Sequence, residues 1–159
     1  MSGPKMIEAE LDAVTDAVLL SSRALVAVAS RSIAAVDEAV TLPQFRALVL
    51  LGRDDAGLNV GQLAHELRIQ PSTATRLCDR LVRRRLARRR VNPENRREVT
   101  MLLTPAGRQL VTEVTRRRRR EISLIMAKVP ASQRTAIIYA LTAFREAAGE
   151  DDVVPSVPW

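Results

Sequence analysis

The sequence predicts a mainly α-helical fold in which two short helices and a two-stranded β-hairpin are held between longer N- and C-terminal helices. Three observations carry that prediction. The 159 residues are 47% hydrophobic but only 3% aromatic, so the core has to be built from Leu, Val, Ile and Ala, a composition that favours helices. Apolar residues recur three or four apart along most of the chain, whereas strict alternation is confined to one short run near residue 100. Pro43, Pro71 and Pro105 stand where new helical patterns begin, the position at which proline's missing N–H costs least.

The first element is the longest. From Lys5 to Leu42 there is no Gly or Pro, and Leu11, Val14, Val18, Ser22, Leu25, Ala29, Ile33 and Val36 follow a helical spacing throughout. A helix of more than about 30 residues would project beyond a single small core, so it is expected to pack against another chain or to bridge lobes. The opening "MSGPKMIEAELDA" carries acids where a signal peptide needs a basic segment, and "ALVAVA" at 24–29 is too short for a membrane span. The expected location is cytoplasmic, with no membrane partner.

"TLPQF" opens the next helix, with Thr41 and Gln44 at capping-box spacing, and that helix ends near "GRDDAG". A short helix follows with Asn59 as N-cap and Val60, Leu63, Ala64 and Leu67 on one face. Another begins at Pro71 after a brief interruption, and so tight a connection predicts a helix-turn-helix. "LARRRV" and "EVTMLLT", joined by "NPENRR", read as a hairpin, with Val99, Met101 and Leu103 alternating against their neighbours. Thr104 and Pro105 cap a long helix reaching Met126, Pro130 ends it, and a last helix places Ile137, Ile138, Leu141 and Phe144 inward. The expected division is 1–40 and 105–148 as a dimerisation lobe around 41–104, with 149–159 a flexible tail.

Charge then narrows the function. Eleven arginines between Arg68 and Thr100 face Asp79, Glu94 and Glu98, a local net of +8 within a chain whose total is +7. A cationic surface confined to one part of a near-neutral body is the footprint of a polyanion-binding protein, and arginine's bidentate fork suits phosphate. On the helix from Pro71, Ala74, Leu77, Cys78 and Leu81 form the inward stripe, leaving Ser72, Thr73, Thr75, Arg76 and Arg80 exposed. Small hydroxyls in the first turn and arginines behind them suit a helix entering the major groove of double-stranded DNA by its N-terminal end.

At this point the chain resembles the winged-helix regulators of the MarR (multiple antibiotic resistance regulator) family. The matching pieces are "LPQFRALVLLG", "LNVGQLAHELRIQPSTATRLCDRLVRRRLARR" and "NRREVTMLLTPAG", over roughly 41–107, with Asn95-Arg96-Arg97 and Leu103-Thr104 at the spacing of the family's wing signature. The resemblance implies a winged helix-turn-helix lobe and a homodimer built on the terminal helices. It further implies readers at Ser72, Thr73, Thr75 and Arg76 and a minor-groove contact from Arg97 at the wing tip; Arg80 and Arg96, beside them in the sequence pattern, complete the expected DNA-binding set. The implied function is a ligand-responsive repressor on a pseudo-palindromic operator, with a small-molecule effector. Three residues depart from the pattern: Asn95 replaces the wing Asp, Gln70 replaces a stronger N-cap, and Arg85 stands where glycine often ends the recognition helix.

The remaining features read more plainly. Cys78 falls on an apolar face and is expected to be buried and inert, and His65 is expected to be exposed or to contact a phosphate rather than to serve catalysis or a metal. One cysteine and one histidine provide neither a disulfide nor a metal cage, and no cofactor is implied. No paired nucleophile and base, glycine-rich phosphate loop or carboxylate cluster is present, so an enzyme is not expected. The run Arg116 to Arg120 reads as a solvated face first, inter-subunit pairing to acids such as Glu8 or Asp12 second, and DNA contact last. The competing function is a non-specific architectural or RNA-binding basic protein using the same arginines for backbone contacts.

Overall fold

The structure, a computed structural model, describes residues 3–91 and 99–149. Its elements are α1 (Gly3–Ala34), α2 (Leu42–Leu51), β1 (Leu58–Asn59), α3 (Val60–Leu67), α4 (Pro71–Arg83), β2 (Ala87–Val91), β3 (Val99–Leu103), α5 (Pro105–Ala127) and α6 (Ala131–Ala147). The mainly helical class and the hairpin agree with the sequence reading.

Two details differ. The sheet has three antiparallel strands in the order β1-β3-β2, because Leu58 pairs with Met101 and Asn59 with Thr100. A strand of two residues shows no period, so β1 is not legible in the sequence. The first helix also stops at Ala34 rather than running on towards Leu42. Asp37 is the cause: its carboxylate accepts the Ala39 N–H at 3.1 Å and pairs with Arg84, drawing the backbone into a turn without Pro or Gly.

The caps anticipated from sequence form. Thr41 accepts from the Gln44 N–H at 3.4 Å while the Gln44 side chain accepts the Thr41 N–H at 2.9 Å, and Asn59 and Gln62 repeat the box at 2.8 Å in each direction. Thr104 caps α5 by accepting from the Gly107 N–H at 3.0 Å. Gln70 makes no side-chain cap for α4, which starts on Pro71 instead.

One core joins these elements. Leu48, Leu51, Leu63, Leu81 and Met101 are fully buried at its centre, closed by Ile33 from the end of α1 and by Leu110, Val111 and Val114 from the start of α5. The rest of α1 is unsupported: between Met6 and Val26 no residue is buried. The inward placement of the α6 residues is corrected too. That helix has no buried residue in the single chain, and Ile138, Leu141 and Phe144 are 64%, 56% and 55% exposed. The helical period identifies an apolar face correctly, but period alone does not say whose core receives it.

The stretch Met6–Ala34 is long and apolar enough, by length and composition alone, to cross a membrane. The short run "ALVAVA" therefore understates it: Ala, Leu and Val dominate the whole second half of α1, and its interruptions there are mainly serines.

Candidate nucleic-acid interface

The helix-turn-helix is set by two helix ends of the same kind. At the end of α3, Arg68 takes left-handed angles (φ 53°, ψ 47°), and the Ile69 N–H returns to the Ala64 carbonyl at 3.0 Å. At the end of α4, Arg85 has φ 59°, its N–H reaches Val82 O at 2.9 Å, and the Leu86 N–H reaches Leu81 O at 3.0 Å. This double return is the Schellman arrangement, usually made with glycine at the left-handed position. Arg85 thus occupies the glycine position without changing how the helix ends. The left-handed backbone costs a non-glycine residue about 1 kcal/mol at each place.

Between those ends, Ala74, Leu77, Cys78 and Leu81 are buried as a stripe on α4, while Ser72, Thr73, Thr75, Arg76 and Arg80 are exposed. All five sequence-derived residues of the helix therefore share its outward surface. Thr75 differs from its neighbours: its hydroxyl donates to the Pro71 carbonyl at 3.0 Å, leaving its lone pairs as the available acceptors. Asn95, Arg96 and Arg97 lie outside the described residues; the flanking strands pair in register from Val91 opposite Val99 to Ala87 opposite Leu103.

The arginine cluster divides into two groups. Arg84 pairs with Asp37, Arg89 on β2 pairs with Asp79 on α4, and Arg90 donates to the Ala56 carbonyl at 3.1 Å. These contacts brace α4 and the hairpin against the rest of the domain. Arg76, Arg80, Arg83 and Arg88 make no side-chain hydrogen bond or ion pair among the described residues, and all four are exposed. Arg76, Arg80 and Arg83, with Asp79 and Arg89, line a shallow hollow of about 430 Å³ open to solvent. Arg83 and Arg88 are the additions to the sequence-derived set. Their signal is the cluster itself, but spacing does not separate them from Arg84 and Arg89, whose partners are distant in the chain.

Cys78 is buried, and burial is the main cause pushing its thiol pKa up; Asp79 adds to this and Arg89 opposes it. His65 is exposed on α3. Among the described residues no three His, Cys, Asp or Glu side chains are grouped to hold a metal ion.

A family model described as the MarR family matches residues 40–99, the span that holds α2 through β2. The crystal structure of RV1404 from Mycobacterium tuberculosis is 46% identical, covers 89% of this chain and 96% of its own, and superposes with a TM-score of 0.82. The uncharacterized HTH-type transcriptional regulator YsmB of Bacillus subtilis (strain 168) is 34% identical over 80 residues, 50% of this chain, and the match spans about half of that relative, 54%. A mutant of MepR from S. aureus, solved bound to an oligodeoxyribonucleotide, shares the fold at 20% identity with a TM-score of 0.65, covering 85% of this chain and 97% of its own. The chain belongs to the MarR family of transcription regulators, which act by binding DNA and are not enzymes.

Proposed function

We propose that this regulator is a cytoplasmic homodimer that represses transcription from a pseudo-palindromic operator and releases it when a small molecule binds. The observation that carries the reading is the outward surface of α4, where Ser72, Thr73, Thr75, Arg76 and Arg80 stand beside Arg83 and Arg88, which are unpaired among the described residues. Hydroxyls at the N-terminal turn suit phosphate or base edges, and Arg76 suits guanine O6 and N7. Arg97 is assigned to the wing contact by family resemblance alone, and Arg96 by its place beside it in the sequence.

Dimerisation is supported by unpartnered apolar surface. Leu11 and Leu25 on α1 are 64% and 43% exposed, and the apolar face of α6 is bare along its length. A patch of this extent rarely remains open on a soluble monomer. It supports the division into a dimerisation lobe, 1–40 with 105–148, around a DNA-binding lobe, 41–104. Glu8, Glu10, Asp12 and Asp16 along α1 favour a protein partner over lipid for that helix, because ionised side chains are costly in hydrocarbon. Two-fold symmetry then places the half-sites about one DNA turn apart. A hollow of about 860 Å³ beside α1, α2 and α3, lined in part by Leu25, Phe45, Val49 and Arg46, is the space we assign to the effector.

The test is selection of genomic duplexes in excess competitor DNA, followed by titration of variants. One enriched palindrome is expected, with Arg76→Ala losing about 1–3 kcal/mol of base discrimination and Arg97→Ala weakening binding to all sequences. Flat enrichment would instead support the non-specific architectural or RNA-binding alternative. Unchanged affinity and preference in both variants would remove the assigned surface.

A further inference from the structure

A second basic concavity shares no lining residue with the α4 surface or with the hollow assigned to the effector. Where the end of α1 meets the middle of α5, Arg31, Ser32, Arg116, Arg117, Arg120 and Leu124 line a cleft of about 330 Å³, with Ala35 and Glu121 completing it. The run of five arginines, which from sequence reads as a solvated face, thus contributes three members to a walled site.

The charges there are unevenly satisfied. Arg31 Nε donates to Glu121 at 3.1 Å, and Glu113 accepts from Arg116 Nε at 2.9 Å and Arg117 Nε at 2.8 Å. Those bonds hold the Glu113 carboxyl at about 2, so it stays ionised at any working pH. Four guanidinium groups against two carboxylates leave the cleft at +2. Arg120 has no hydrogen bond or ion pair among the described residues, and the paired arginines keep N–H groups to spare, since each carries five.

The independent observation is Ser32. It is 3% exposed, and its hydroxyl has no partner among the described residues. Thr15 and Thr112 donate to the preceding turn, to Leu11 O at 2.8 Å and Arg108 O at 2.9 Å; Ser32 makes no such bond although it is buried. A buried, unmatched hydroxyl carries a desolvation cost that a bound acceptor would remove. Arg116, Arg120 and Leu124, four apart, also form a ridge distinct from Ile122 and Ile125 on the same helix. The ridge is therefore separable from the apolar seam of the proposed dimer.

We propose that this cleft binds a compact oxyanion of two or more charges, with Arg31, Arg116 and Arg120 supplying forked donors and Ser32 one further hydrogen bond. Guanidinium groups match phosphoryl and carboxylate oxygens in paired geometry, and a cleft of about 330 Å³ has room for a diphosphate or a tricarboxylate.

The test is calorimetric titration of the full chain, without DNA, with inorganic pyrophosphate and separately with citrate at constant ionic strength. Saturable binding of one equivalent per chain is expected for at least one probe, and whichever binds identifies the source as phosphoryl or carboxylate. Arg116→Gln with Arg120→Gln should weaken it at least tenfold, and Ser32→Ala a few fold. Arg76→Gln with Arg80→Gln, which removes charge from α4, should leave it unchanged. The proposal is overturned if neither probe saturates, if the α5 variant retains the affinity, or if the α4 variant abolishes it. It is equally overturned if the α5 variant turns a dimer into a monomer, since the arginines would then be holding a partner's carboxylates.

Discussion

Gly107 is the residue through which the DNA-binding elements lean on α5, and replacing it with alanine should be costly although it lies in a helix. A Cβ built there sits 2.1 Å from the Leu86 carbonyl oxygen and 2.7 Å from a Leu103 methyl carbon. An ordinary contact lies beyond about 3 Å, so the Leu86 backbone has to retreat by about 1 Å. That carbonyl accepts both the Thr104 N–H at 3.2 Å and the Thr104 hydroxyl at 2.9 Å. Overpacking of this kind costs about 1–3 kcal/mol, and loosening the Thr104 cap adds about 1 kcal/mol. Against them stands about 1 kcal/mol from alanine's better helix propensity. The net loss is about 2 kcal/mol, or about 4–8 °C in Tm for a chain of this size. Thermal melts by circular dichroism, at one fixed protein concentration because association feeds into Tm, read the difference. Gly61→Ala, whose Cβ would meet only the Asn59 side chain at 3.2 Å, serves as the comparison and should change Tm far less. A Gly107→Ala melt at or above the parent would refute the close-packing argument.

Four further outcomes are expected. Arg84's hydrogen bond, helped by the Ala39 N–H and opposed by burial, holds the Asp37 carboxyl below its usual 3.8; a depressed folded value means stability present above the unfolded pKa and lost as pH falls through the folded one. Asp37→Asn should therefore cost about 1 kcal/mol at pH 7, with the two melting curves converging below pH 3.8. Cys78, buried with a raised pKa, should resist thiol reagents until the protein unfolds, and mild peroxide should leave operator affinity unchanged; rapid labelling of the folded chain would count against this. Leu141→Asp, on the bare face of α6, should shift the proposed dimer to monomer in light scattering while leaving its helicity intact. Arg85→Gly should raise Tm by about 2–4 °C, because it relieves the left-handed strain of about 1 kcal/mol.

Much of the fold is legible in the sequence because local rules agree with the tertiary answer. Thr41, Asn59 and Thr104 cap as their spacing to the following residues implies, and the stripe of Ala74, Leu77, Cys78 and Leu81 is buried as its period requires. What escapes depends on partners remote in sequence. Asp37 ends α1 partly through Arg84, 47 residues away, and no periodicity encodes that meeting. β1 exists because Leu58 and Asn59 find β3, not because two residues have a strand-like pattern. The spacing of apolar residues locates the faces of α1 and α6, yet by itself it turns the α6 face inward, since a helical period gives a direction around the axis and nothing about which body lies there. The cleft between α1 and α5 is hidden for a related reason: Arg116 to Arg120 read as one uniform run, and only the fold shows that Arg31 and Ser32 stand opposite it.

The eleven arginines that first suggest a polyanion illustrate how one composition can perform two physical tasks. Arg84 and Arg89, spent on Asp37 and Asp79, are partly shielded and tie the end of α4 to the loop after α1 and to β2. Arg90 ties the hairpin to the Ala56 carbonyl. Each such bond is modest where solvent reaches it, but together they span three separate joints, so α4 and β2 can shift only by breaking several at once. That bracing fixes the spacing of the backbone positions from which Arg76, Arg80, Arg83 and Arg88, exposed and unpaired among the described residues, project. Attraction to phosphate needs only the charge, which any basic tail supplies. Discrimination among base sequences needs donors held in place before contact, because every side chain ordered on binding subtracts from affinity. In the proposed recognition of DNA, the acids embedded in the cluster remove freedom from the scaffold while cancelling only part of its charge.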